Sequence, residues 1–286
     1  KKRERRKQKR RKQRGEKKGG REKVKKGNYS VLDLENNLGD FIIYADDYEM
    51  CINCKSLGEC KKDSLGTQID LEIDDQGYLQ KKISFCPYKK RDLKLKQNFL
   101  IRDFDDDFLN VSLKDIEFRE GRELLQSCIG DFIYEKKENG IYVFGQSETG
   151  KSFPLIALCN TLIIKENKSC AFVNVKSFIN NLKSTFNQSN YEYDELMKKT
   201  KQADILILDD LGDEKQSEWV RDDILSEIIG DRNKKNKITF ITSVYSLDEL
   251  TRLYTFNFSS KKGDDFKRDK FIQRIKKACK NFVKVE

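Results

Sequence analysis

The octapeptide Gly145-Gln146-Ser147-Glu148-Thr149-Gly150-Lys151-Ser152 constrains the fold of this chain more than any other feature, because it fits the pattern G-x-x-x-x-G-K-[ST]. It follows the apolar run Ile141-Tyr142-Val143-Phe144 and precedes a helical pattern from Phe153 to Ile164. That order is strand, glycine loop, helix. In it, backbone N–H groups of the loop and the helix N-terminus face bound phosphates. Lys151 is then placed to reach the β and γ phosphates, and the Ser152 hydroxyl to ligate Mg²⁺. Pro154 falls in the first helical turn, where a missing N–H costs little.

A second element belongs to the same site. Ala203 to Leu208 is a nearly continuous apolar run, the pattern of a strand buried on both faces of a parallel sheet. It ends in Asp209-Asp210-Leu211-Gly212, so two carboxylates stand at a strand's C-terminal end, where open α/β sheets bind ligands. Asp209 is expected to hold Mg²⁺, directly or through water, and Asp210 to orient or deprotonate the attacking water. The chain contains no histidine, so water activation rests on a carboxylate or on the metal. Ser169–Val175 and Ile238–Thr242 read as further strands, separated by helical patterns at Lys176–Phe186 and Trp219–Arg232. Alternation of this kind predicts an α/β nucleotide-triphosphatase domain with a parallel sheet, over residues 97–286.

The formal net charge of +10 is unevenly spread. Residues 1–26 hold 17 Lys or Arg against 3 Asp or Glu, while the remainder holds 41 basic and 45 acidic residues. A run so poor in apolar side chains is expected to be a disordered basic tail. It is suited either to holding nucleic acid phosphates or to simple solvation. No apolar run reaches the length of a membrane span and no export signal is visible, so partners in a membrane are not expected. Eight cysteines then point to metal ligands or free thiols in a reducing compartment.

Four of those cysteines cluster. Cys51 and Cys54 form a C-x-x-C pair, Cys60 follows, and Cys86 closes the set. The spacing suits tetrahedral Zn²⁺. Between them, Gln68–Ile73, Tyr78–Leu79 and Lys82–Phe85 read as short strands around a turn at Asp74–Gly77. Residues 27–96 are therefore expected to form a small zinc-stapled module, which would otherwise have too few large apolar residues to hold itself together. A redox C-x-x-C belongs at the start of a helix in a βαβ unit, and nothing here reads as one. Cys128, Cys159, Cys170 and Cys279 stand in apolar contexts and read as core thiols.

A zinc module followed by an ATPase core with Asp209–Gly212, Trp219–Leu225, Ile241–Ser246 and Phe271–Ile275 resembles the bacterial primosomal helicase loaders of the DnaI type. These are relatives of DnaC within the AAA+ class of P-loop NTPases. The resemblance covers about Tyr48 to Phe282 and leaves the basic tail outside. It implies a bacterial cytoplasmic, Mg²⁺-dependent ATPase that binds a replicative DnaB-type hexameric helicase and helps place it on single-stranded DNA in primosome assembly. It also implies self-association on the helicase ring, and a helicase-contacting role for the zinc module. Residue by residue, Gly145 to Ser152 would hold phosphates and Mg²⁺, Asp209 would serve the metal, and Asp210 the water. Arg274 matches the arginine that reaches a neighbouring subunit's nucleotide. Phe99–Glu117 would flank the adenine.

Two positions depart from that family. Val244 stands where an asparagine usually senses the γ-phosphate, so hydrolysis is expected to be slow unless Thr242 or Ser243 substitutes. The family's zinc cluster usually includes a histidine, for which Cys60 is the replacement here. A transposition helper ATPase of the IstB type shares the core motifs but is expected to lack the cysteine cluster. A non-hydrolysing ATP switch would fit Val244. Asn190–Asp194 and Leu253–Asp265 read as loops that would carry contacts to single-stranded DNA. The strongly basic Tyr88–Gln97 reads as the hinge between module and core.

Overall fold

A computed structural model of the chain describes residues 29, 31–76, 78–116, 123–134, 139–186, 190–256 and 264–286. The basic tail, residues 1–26, lies outside the described residues. Two compact units divide the chain, residues 1–93 and 94–286.

In the first unit, α1 (Val31–Asn36) and α2 (Leu38–Cys51) precede an antiparallel hairpin, β1 (Thr67–Ile73) and β2 (Leu79–Phe85), which pairs Ile69 with Ile83. The two pieces expected around Lys82 are one strand. Phe41 is the one buried apolar side chain among this unit's described residues, while Ile83 is 72% exposed. Polar ties supply what the core lacks. Asp47 on α2 accepts from the Ile69 N–H at 3.0 Å and pairs with Lys62 at 2.6 Å, both side chains being largely shielded from water.

The segment expected as a hinge is a helix, α3 (Pro87–Asn98), and the boundary between the units falls inside it. Lys, Arg, Gln and Leu are all good helix formers, and Pro87 opens the helix where no N–H is needed. Leu95 on it is buried.

The second unit carries a six-stranded parallel sheet in the order β3-β5-β6-β7-β4-β8. Its strands are β3 (Phe99–Arg102), β4 (Gly140–Phe144), β5 (Cys170–Asn174), β6 (Ile205–Asp209), β7 (Ile238–Ser243) and β8 (Cys279–Lys284). The helices are α4 (Glu123–Tyr134), α5 (Ser152–Glu166), α6 (Val175–Phe186), α7 (Asn190–Gln202), α8 (Ser226–Lys234), α9 (Leu247–Phe256) and α10 (Asp264–Ala278). Strand residues alternate between two cores. Ile141, Val143, Ile205 and Ile207 pack with α4 and α5 on one face. Tyr142, Leu206 and Leu208 pack with α6, α8 and α10 on the other. Burial on both faces explains why β6 reads as an unbroken apolar run.

Chain leaving β4 must pass β7 and β6 to reach β5, so the C-terminal end of β4 is the switch point of the sheet, where such folds bind ligands. Asn190–Asp194, expected as a loop, opens α7. Leu253–Phe256 continues α9, and α10 starts at Asp264; residues 257–263 lie outside the described residues. Polar composition misled at both places, since helices with one apolar stripe expose mostly polar side chains. The Trp219–Arg232 helix begins as a π-helix, Trp219–Leu225. Phe99–Glu117 contributes the edge strand β3 and two short 3₁₀ turns, Asp106–Asn110 and Leu113–Asp115; Glu117 itself lies outside the described residues. Among the described residues no helix is long and apolar enough to cross a membrane.

Candidate nucleotide site

The phosphate loop leaves β4 at the switch point. Gly145 has φ +152, and a Cβ there would lie 2.0 Å from the carbonyl oxygen of Val285, just after β8, so only glycine fits. Glu148 and Gly150 both have positive φ, and Thr149 Oγ1 donates to the Gln146 carbonyl at 2.9 Å, which curls the loop ahead of α5. Gln146, Ser147 and Glu148 are exposed at its tip. Lys151 is 5% exposed, and its ammonium donates to the Gly145 and Gln146 carbonyls at 3.0 and 2.6 Å. Burial holds its pKa below the usual lysine range, against the pull of Asp210 and Asp209.

The acid pair meets this loop. Ser152, the first residue of α5, donates its hydroxyl to Asp209 Oδ1 at 2.6 Å. Thr242 on β7 donates to the same oxygen at 2.7 Å. Burial is the main cause that pushes the Asp209 carboxyl up to about 6; the two hydroxyls oppose it. A cation alongside would favour its ionised form. Asp210 turns away in a left-handed conformation, φ +56, with its N–H donated to Thr242 Oγ1 at 2.9 Å. Its carboxyl is also raised by burial, opposed by Lys151. Lys151, Ser152, Asp209 and Asp210 are thus brought together.

Other expected site residues lie elsewhere. Val244 is 36% exposed. Arg274 on α10 is half-buried, donates from Nη1 to the Ser226 carbonyl and Oγ, and packs against Gly230. Its guanidinium is therefore engaged within the chain, with α8. Thr242 and Ser243 are both fully committed: the Ser243 hydroxyl donates to the Leu211 carbonyl at 2.6 Å and accepts from the Tyr245 N–H at 3.0 Å. Both hydroxyl protons are thus donated within the chain.

Sequence reasoning missed the role of Thr242 in the acid pair and that of Glu214. The Glu214 carboxylate is buried, accepts from the Gly212 N–H at 2.8 Å and from the Tyr254 hydroxyl, and so fixes the turn after the acid pair to α9. A polar residue at the C-terminal end of a buried strand was the available signal for Thr242.

In the first unit, Cys51, Cys54, Cys60 and Cys86 are half-buried free thiols. The Gly66 N–H donates to Cys60 Sγ and the Lys89 N–H to Cys86 Sγ, each at 3.4 Å, while the Cys86 N–H donates to the Gly66 carbonyl at 2.8 Å. The hydrogen bond from Gly66, with a second from Lys62, lowers the Cys60 pKa toward the thiolate that metal ligation needs. As placed, no group of three or more His, Cys, Asp or Glu side chains among the described residues is arranged to hold a metal ion. Cys128, Cys159, Cys170 and Cys279 are buried.

The chain is 27% identical over 261 residues to the replicative helicase loader DnaI of Bacillus subtilis (strain 168), covering 87% of this chain and 82% of that protein. To the replicative helicase loader DnaC of Escherichia coli (strain K12) it is 26% identical over 109 residues, 38% of this chain and 44% of the relative. A crystal structure of DnaI superposes with a TM-score of 0.56 at 28% identity, over 64% of this chain and 95% of that one. The DnaC helicase loader shares the fold at a TM-score of 0.52 and 20% identity, over 64% of this chain and all of that one. The resemblance to DnaI-type loaders therefore holds. The family profile described as IstB-like ATP binding protein matches residues 94–258, more than half of the chain. This chain belongs to the family of IstB-like ATP binding proteins.

Proposed function

We propose that this chain is an ATP-dependent loader that places a DnaB-type hexameric helicase on single-stranded DNA in the bacterial cytoplasm. The observation that carries the reading is the similarity to the loader DnaI across both units, not the ATPase core alone. The match to IstB-like proteins by itself covers only residues 94–258 and would equally suit a transposition helper. Similarity reaching into the cysteine-bearing unit favours the loader.

MgATP is the substrate this site suits. Backbone N–H groups of Gly145 to Ser152 would receive the phosphates, and Lys151 would exchange two carbonyls for phosphate oxygens. Ser152 and Asp209, already 2.6 Å apart, would share the magnesium ion. In hydrolysis the oxygen of a water bonds to the γ-phosphorus. The bond to the β–γ bridging oxygen breaks, its electron pair leaving with ADP. The water's proton passes to the Asp210 carboxylate and then to solvent. No hydroxyl of β7 assists at the γ-phosphate, which makes turnover slow and suits a nucleotide-gated switch. For Arg274 to act on a neighbouring subunit's nucleotide it must first leave Ser226. Self-association on the helicase would supply the occasion.

Affinity capture with the host DnaB-type helicase tests this reading: retention of the helicase by the full chain is expected. Retention of a transposase instead, with no helicase, would overturn it.

The four thiols that cluster in sequence form a donor set of the chemistry zinc prefers, and two of them accept backbone N–H groups. Zinc held by Cys51, Cys54, Cys60 and Cys86 would draw the end of α2 and the base of the hairpin together and supply stability that Phe41 alone does not. Purified protein is expected to carry about one zinc per chain, and Cys51→Ser and Cys60→Ser to carry much less by elemental analysis. Full stoichiometry in Cys60→Ser would remove Cys60 from the set.

A further inference from the structure

The end of β7 carries two hydroxyls, Thr242 and Ser243, that are buried and donate within the chain. Burying a hydroxyl is unfavourable unless both its donor and acceptor capacities are used. The partners Thr242 has chosen are therefore informative. Its single proton goes to Asp209 Oδ1, and its oxygen accepts the N–H of Asp210. One hydroxyl thus bridges the side chain of one acid and the backbone of the next.

Each half of that bridge resolves a specific problem. Asp209 sits at the end of β6 with a carboxylate that is otherwise free to rotate about χ2. Ser152 holds Oδ1 from the α5 side and Thr242 holds the same oxygen from the β7 side, so the carboxylate plane is fixed between two donors. Asp210 adopts φ +56, unfavourable for any residue with a Cβ, and the hydrogen bond from its N–H helps hold that conformation. Leu211 N–H, donating to the Thr242 carbonyl at 2.9 Å, locks the turn one residue further on.

We infer that Thr242 is the positioning residue of the acid pair, fixing Asp209 toward magnesium and Asp210 toward water, while making no contact with the nucleotide itself. The assignment rests on the ATPase reading above. It separates two properties that Lys151 joins: Thr242 governs how the site uses magnesium and water, and not whether the triphosphate is captured.

Thr242→Val keeps the branched shape and removes both hydrogen bonds. In the full chain, ATP affinity measured calorimetrically in EDTA is expected to stay within about threefold of the unmodified protein. The gain in affinity on adding Mg²⁺, and kcat with helicase and single-stranded DNA present, should each fall by about 10- to 100-fold, the usual effect of removing an outer-shell partner. Thr242→Ser restores the hydroxyl and should recover both. Unchanged magnesium dependence in Thr242→Val overturns the assignment. So does an equal loss of affinity in EDTA, which would mark a merely structural residue. Failure of the underlying reading looks different: the unmodified chain would bind no ATP, and Lys151→Ala would change nothing.

Discussion

Lys151→Ala is expected to abolish measurable ATP binding while leaving the chain folded. Lys151 is 5% exposed, and its ammonium donates to two carbonyls of its own loop. One of those carbonyls belongs to Gln146, an exposed residue, so water can replace the lost donor at little cost. Burial already disfavours the charged lysine, and two carboxylates only partly offset this. A triphosphate arriving at the loop supplies the missing anion at short range, in a site of low dielectric. The lysine is therefore poised to gain more from ligand than from its present partners. Charge-assisted hydrogen bonds to phosphate are about twice as strong as neutral ones, and losing them should weaken binding by about 100-fold or more, roughly 3 kcal/mol. Nucleotide titration gives the affinity, and a thermal melt followed by circular dichroism gives the fold. Undiminished affinity would remove Lys151 from the site; a collapsed melt would show that the loop depends on it structurally.

How much of this was legible in advance varies with the physics behind each signal. The phosphate loop and strands β4 to β7 could be read because a parallel strand covered on both faces leaves no choice but continuous apolar sequence. Gly145 could be read because nothing larger fits beside Val285. The helix α3 was not legible as such: a solvated helix and a charged linker share the same composition, and the deciding residue, buried Leu95, stands among eight charged or amide residues. For α7 and α9 the difficulty was the same. For Thr242, sequence gives the strand end but not that Asp209 takes the hydroxyl proton. For Arg274 the family resemblance implies a reach into another subunit, and only the fold puts Ser226 and Gly230 against it.

The largest loss of stability is expected from Arg232. Its guanidinium is fully buried, an uncommon place for a group that never gives up its charge readily. Burial lowers its pKa to about 10, which still leaves it charged at neutral pH. Its donors are spent on elements remote in sequence. Nε donates to Thr239 Oγ1 at 2.9 Å, Nη1 to the Thr200 and Ala203 carbonyls at 2.9 and 2.7 Å, and Nη2 to the Ile238 carbonyl at 2.5 Å. The Thr200 carbonyl belongs to the last turn of α7, where carbonyls lack helical partners and the helix dipole is negative. One planar fork thus ties the end of α7 to the beginnings of β6 and β7. Arg232→Met fills similar space but strands these acceptors in the core, at an expected loss of about 3–5 kcal/mol in denaturant unfolding. For a domain of this size that corresponds to a drop of roughly 10 °C in Tm. Arg232→Lys should recover little, because a single ammonium cannot span the same fork. The substitution lies at the N-terminal ends of β6 and β7, whereas the acid pair and Thr242 lie at their C-terminal ends. ATP affinity of the folded fraction should therefore be unchanged even as the folded fraction shrinks. A loss below about 1 kcal/mol would show that the network is replaceable by water, and a parallel fall in ATP affinity would show that the two ends of the sheet are coupled.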